Sequence, residues 1–172
     1  EWDIHSGKYK IYTQYNKEIA GDDIGAWFTF NTAENEEIEV SLGVSFVSIE
    51  NARENLEKEQ HGRHFEEIHK EAREQWNSHL GRIKVEGGTE DQKTVFYTGL
   101  YHTLIHPSIL QDVNGEYPAM ETGKTLTTKG DRYTVYSLWD TYRNLHQLMT
   151  LVYPEKQIEM VRTMVDMYRE HG

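Results

Sequence analysis

"VSLGVSFVSIENARENLEKE", residues 40–59, changes its period part-way along. Val40, Leu42, Val44 and Phe46 alternate with Ser41, Gly43 and Ser45, and the alternation reaches back to Ile38 and Glu39. That is the pattern of a strand with one buried face. From Ile49 onward strong helix formers take over, and Ser48 stands where an N-cap belongs. Upstream of the junction, "GAWFTF" alternates Ala26, Phe28 and Phe30, and "KYKIYTQY" reads as a third strand. Turn-rich "AGDDIG" and "NTAENEE" separate these runs. A small sheet with a single apolar face needs a cover, so its partner sheet is expected outside this chain.

Downstream the period is helical. "HFEEIHKEAREQWNSHLGRI" places Phe65, Ile68, Ala72, Trp76 and Leu80 on one face, with Gly81 as a stop. "TEDQKTVFYTGLYHTLIHPS" opens with Thr89 as cap and ends before Pro107, offering Phe96, Tyr97, Leu100, Tyr101, Leu104 and Ile105 for burial. "YSLWDTYRNLHQLMTLVYPEKQ", residues 136–157, has Leu138, Tyr142, Leu145, Met149 and Val152 as one helical stripe. A last helix starts at Pro154 and turns Ile158, Val161, Val165 and Tyr168 inward. The spacing predicts helices over 50–80, 90–106, 136–152 and 155–170. Residues 108–134 form a connection long enough to be a candidate functional loop. The class is therefore α+β, a strand-rich end followed by helices of a larger array.

With 172 residues the chain can bury a real core. Its net charge of −11 argues against nucleic acid or an anionic membrane as the main partner. No apolar run approaches the roughly 18 residues of a membrane span. The absence of cysteine excludes disulfides and thiol chemistry. The opening "EWDIHSGKYKIY" carries no starting Met and no leader pattern, and "MYREHG" ends on a helix, so the chain reads as a piece of a longer protein.

Three motifs bear on chemistry. His102 and His106 stand four apart, but Thr103 occupies the place a metalloprotease gives to glutamate, so two hydrogen-bonding histidines are expected rather than a zinc site. "DVNGEY", Asp112 to Tyr117, echoes the start of a calcium loop yet lacks its later oxygens, and Asn-Gly predicts a turn. The polar face of the 136–152 helix carries Asp140, Arg143, Asn144 and Gln147, with Trp139 and His146 at its edges. An indole covers the apolar face of a pyranose, and a neighbouring carboxylate accepts hydrogen bonds from its hydroxyls. Against this stands the plainer alternative of a core Trp beside a solvated Asp.

Taken together, "GAWFTF", "VSLGVSFVSIENARENLEKE", "EQWNSHLGRIKVEGGTEDQKTVFYTGLYHTLIHPSILQDVNGEY" and "YTVYSLWDTYRNLHQLMTLVYPEKQIEMV" resemble glycoside hydrolase family 92. The resemblance implies the layout of calcium-dependent, exo-acting, inverting α-mannosidases, mostly bacterial and secreted or periplasmic. Residues 1–49 would be the C-terminal part of an N-terminal antiparallel β-sandwich, 50–88 a helical linker, and 89–172 the start of an (α/α)6-barrel catalytic domain. It places Trp139 and Asp140 in the mannose pocket, with Arg143 sixty degrees round the helix, able to orient that carboxylate or touch the sugar. Tyr136, His102 and Asp112 are second-rank candidates. The catalytic acid and base, and most calcium ligands, are expected downstream, so no catalytic or metal-ligating residue is assigned within this chain. The implied partner is a mannose-containing glycan, and the isolated chain should be inactive. Helix faces cut off from their partners, at Met160, Met164 and Met167, should drive oligomerisation or domain exchange. The alternative is a non-catalytic carbohydrate-binding or interaction module.

Overall fold

The computed structural model describes residues 25, 28–120 and 123–171, and divides into one unit ending at Ile38 and a second beginning at Glu39. In the first unit the described residues hold a turn in which Glu36 N donates to Ala33 O at 3.2 Å, with Asn35 left-handed at φ 64°. The proposed strand over "KYKIYTQY" lies outside the described residues.

The second unit begins with an extended segment that has no strand partner among the described residues. Its polar side turns toward the first helix, α1 (Ile49–Gln60). A Cβ on Gly43 would lie 2.2 Å from the Ala52 carbonyl oxygen and 2.9 Å from the Leu56 Cβ, so only glycine allows this approach. The expected apolar face is not buried: Val40, Leu42, Val44 and Phe46 are all exposed. Alternation states which side chains share a face, but a strand exists only when another backbone supplies its hydrogen bonds.

The helices keep the predicted caps. Ser48 Oγ accepts from Asn51 N at 3.0 Å. The helical stretch 50–80 consists of two helices, because His61 is left-handed at φ 57° and closes α1 before α2 (Phe65–Leu80) begins. α2 has no buried residue, so its apolar face is open apart from contacts such as Trp76 against Tyr101, the ring centroids 4.7 Å apart and tilted by 59°. α3 (Glu90–His102) starts in a capping box between Thr89 and Gln92. It ends four residues earlier than predicted, leaving His106 beyond the helix and before a cis peptide bond to Pro107. His102 and His106 therefore do not share a helix face.

Residues 108–134 are organised rather than structureless. Strands β1 (Glu116–Pro118) and β2 (Thr125–Thr127) pair antiparallel, with Tyr117 opposite Leu126. The predicted Asn-Gly turn precedes them: Gly115 N donates to Asp112 O at 2.8 Å, and Gly115 sits at φ 86°. The base of the excursion is closed by an antiparallel bridge between Ile109 and Tyr133.

The helix predicted over 136–152 breaks in two. α4 covers Leu138–Thr141 and α5 covers Leu145–Val152. The stripe divides with it: Met149 is fully buried, whereas Leu138 and Tyr142 are about half exposed. α6 (Pro154–His171) begins at Pro154 as predicted, but with the opposite face inward. Met160 and Thr163 are buried while Ile158, Val161, Val165 and Tyr168 are exposed, reversing the expected order. The core joins Leu100, Tyr133, Met149, Tyr153 and Met160, flanked by Leu80, Ile83, Tyr97, Leu104 and Tyr136. Tyr153 is sealed there, its hydroxyl donating to His79 O at 3.0 Å with the Arg82 guanidinium 4.8 Å from its ring centroid.

Candidate functional site

α4 is a single turn, too short to persist by propensity alone. Its backbone closes on Ser137 O, which accepts from Asp140 N and Thr141 N at 3.0 Å each. Thr141 is the one buried residue of the turn. Trp139 points away from the core, 82% exposed, and Asp140 beside it is also exposed. This excludes the core-Trp alternative. Ser137 Oγ donates to Asp140 Oδ2, while Oδ1 has no partner among the described residues. The pair offers an open indole face and a carboxylate that can still accept hydrogen bonds, the two groups that a pyranose needs.

Arg143 lies in the break after α4, so the sixty-degree relation to Asp140 on a continuous helix does not exist. Its guanidinium rests 5.7 Å from the Tyr142 ring centroid rather than on Asp140. Tyr136 is half-buried and donates to Met160 O at 3.0 Å; burial pushes its hydroxyl up to about 12. His102 is exposed at the end of α3.

Asp112 has a different setting. It is buried beneath α1 and accepts from Ser45 Oγ at 2.6 Å, Asn51 Nδ2 at 2.8 Å and Asn55 Nδ2 at 2.7 Å. Burial alone would raise its pKa, but the donations from Ser45, Asn51 and Asn55 outweigh it and hold the carboxyl below its ordinary value. Asn55 also donates to Val44 O at 2.8 Å and accepts from Val113 N at 2.9 Å. With its oxygens engaged in this way, Asp112 does not present a calcium site. Among the described residues no group of three or more His, Asp or Glu side chains is arranged to hold a metal ion.

Two features escaped the sequence reading. One is a cavity of about 270 Å³ bounded by Trp76, His79, His106, Lys156 and the buried Met149 and Met160, apart from the Trp139–Asp140 pair. His79 Nδ1 is buried without a hydrogen-bond partner, and burial pushes the His79 pKa down. The other is the buried pair Arg132–Glu170, bidentate at 3.0 Å for each bond, with Tyr117 Oη donating to Glu170 Oε1 at 2.7 Å. No local pattern announces a pair separated by 38 positions.

Comparison with known proteins assigns the class. Residues 51–172 match the glycosyl hydrolase family 92 catalytic domain. The chain therefore belongs to glycoside hydrolase family 92. It is 32% identical over 127 residues to an uncharacterized secreted glycosidase of Arthroderma benhamiae, covering 70% of this chain and 15% of that protein. A family GH92 α-mannosidase of Bacteroides thetaiotaomicron superposes with a TM-score of 0.68 at 35% identity, over 73% of this chain and 17% of that one. A family GH92 inverting mannosidase of the same organism gives 0.68 at 37%, with the same coverage. The α-mannosidase has also been solved in complex with mannoimidazole. The chain thus spans about one sixth of the length of these relatives.

Proposed function

We propose that this chain is the junction between a β-sandwich and an (α/α)6 barrel, with the first barrel helices, of an inverting, calcium-dependent exo-α-mannosidase acting on mannose-containing glycans. Residues 1–49, 50–88 and 89–172 correspond to sandwich end, linker and barrel start. Trp139 and Asp140 form part of the mannose subsite, and Arg143 is the weaker neighbouring contact. The observation that carries this reading is the outward display of Trp139 and Asp140 on a turn whose packing is done by Thr141 instead. The secreted fungal relative favours an extracellular or periplasmic setting. Inversion requires a carboxylic acid and a carboxylate base about 6.5–9.5 Å apart, flanking the scissile bond. We assign both, with the calcium ligands, to barrel segments beyond residue 172, so the isolated chain binds sugar without hydrolysing it. A self-sufficient binding module is disfavoured, because it would not leave Ile158, Val161, Val165 and Tyr168 uncovered together.

The test is Asp140→Ala in the full-length enzyme. Two lost charge-assisted hydrogen bonds at about 1.5–3 kcal/mol each lower kcat/KM by on the order of a hundredfold or more. The thermal midpoint stays, since Asp140 is no part of the core. Asp140→Asn, which keeps an acceptor for Ser137, should lose activity as well. Activity within about twofold of wild type in both variants returns this face to solvent.

A further inference from the structure

A one-turn helix that carries two exposed recognition groups needs something to fix its direction. α4 has little of its own, and the break at 142–144 interrupts the helix between it and α5. What spans the break is His146. Its Nε2 lies 3.2 Å from Thr141 Oγ1, and its Nδ1 lies 3.2 Å from Gln157 Oε1 on α6. With Gln157 Oε1 accepting, Nδ1 carries the proton and Nε2 accepts from the Thr141 hydroxyl, so a neutral imidazole satisfies both partners. Thr141 is only 3% exposed and directly follows Asp140. The imidazole ring also lies 6.1 Å from the Tyr136 ring centroid, on the residue that leads into the turn.

We propose that His146 is a positioning residue: by holding Thr141 against α6 through Gln157, it sets the direction in which Trp139 and Asp140 face a bound mannose. This rests on the sugar-binding reading given above. His146 touches no sugar in this arrangement. It acts through Thr141, at the junction where the sequence would otherwise be free to swing. Because the aligned groups bind substrate before reaction, loss of alignment raises KM more than it lowers kcat.

Replacement chemistry separates alignment from bulk stability. The amide nitrogen of Asn falls near the place of imidazole Nδ1, and that of Gln near Nε2. His146→Gln therefore keeps a partner for Thr141, whereas His146→Asn keeps only the one for Gln157. Thr141→Val removes the hydroxyl at nearly constant volume. In the full-length enzyme with 4-nitrophenyl α-mannoside, KM is expected to rise by about tenfold in His146→Asn and Thr141→Val, roughly one lost hydrogen bond. His146→Gln recovers most of the loss, and the double variant His146→Asn/Thr141→Val is no worse than either single one. A parallel titration of the 172-residue chain with methyl α-mannoside, read at the Trp139 indole N–H by NMR, should weaken in the same order. If Asp140→Ala weakens binding while His146→Asn and Thr141→Val match wild type, the positioning role is overturned and the sugar site stands. If the two variants lose thermal midpoint and kcat together, with no Gln rescue, His146 is merely structural and the proposal fails. If Asp140→Ala itself changes nothing, the sugar reading has failed, and the positioning proposal goes with it.

Discussion

Asn55 on α1 donates 2.7 Å to the carboxylate of Asp112 across 57 positions of sequence, and receives the Val113 N–H in return at 2.9 Å. Both residues are buried, at 7% exposure each. The exchange fastens the helix that follows the extended segment to the turn that starts the β1–β2 hairpin. Removing the carboxylate leaves buried amide donors unpaired, each at about 1–3 kcal/mol. Asp112→Ala is expected to destabilise the chain by at least about 2 kcal/mol. Chemical denaturation checks this, and a change below about 0.5 kcal/mol would show that water replaces the carboxylate freely.

The same carboxylate gives a pH dependence. Its folded pKa is depressed, so the folded state binds this proton less readily than the unfolded chain does. Its stabilisation is complete above the ordinary aspartate value and is lost as pH falls through the lower folded value. Thermal midpoints between about pH 5 and pH 2 should fall less in Asp112→Ala than in wild type. Parallel decline of the two would remove Asp112 as the source.

Gly43 faces a carbonyl oxygen and a Cβ at distances no side chain tolerates. Gly43→Ala should push the 39–47 segment off α1 and weaken the chain by about 1–3 kcal/mol. Hydrogen exchange at Val44 to Ser48 should speed up, while exchange in α5 stays unchanged. A neutral substitution would mean that the segment does not rest on α1 in solution.

Glu170→Ala leaves Arg132 buried with no carboxylate and takes the acceptor from Tyr117. Losing one partner of such a pair costs about 3–5 kcal/mol, whereas replacing both by apolar residues is often neutral. Glu170→Ala should therefore lower the thermal midpoint far more than the double variant Glu170→Leu/Arg132→Met. Equal losses would show that the pair itself, rather than an orphaned charge, supplies the stability.

Ile158, Val161, Val165 and Tyr168 make an exposed apolar row along α6. Such rows drive association. Sedimentation of the 172-residue chain should show concentration-dependent oligomers that Val161→Lys/Val165→Lys abolishes. A wild-type monomer at high concentration would exclude this face.

These elements also show what could be read from sequence. Ser48 and Thr89 marked their helix starts because a cap is satisfied within four residues, and Pro154 because proline suits the first helical position. The pairing of the 38–46 alternation could not be read that way, since alternation says nothing of whether another backbone supplies the hydrogen bonds. The break after Thr141 was hidden because the 4-3-4-3 spacing of Leu138, Tyr142, Leu145, Met149 and Val152 continues across it. α6 carries two apolar rows, Met160–Met164–Met167 and Ile158–Val161–Val165–Tyr168, and composition does not rank them. The core selected the flexible thioether of Met160, which fills an irregular gap beside Tyr133 and Tyr153. At the candidate site Trp139 and Asp140 were visible as a chemical pair. The bond from His146 to Thr141 was not, because it depends on how the chain turns between them.

The interruption between α4 and α5 also bears on how this surface can vary. In a continuous helix, one inserted or deleted residue rotates everything beyond it by about 100°. Here three non-helical positions, Tyr142 to Asn144, stand between the display turn and the core-forming helix. Repacking around Met149 therefore reaches the Trp139 indole through the contact between His146 and Thr141 rather than through rigid rotation of one helix. A residue gained or lost between Tyr142 and Asn144 can thus change how Trp139 and Asp140 are displayed while α5 keeps its register.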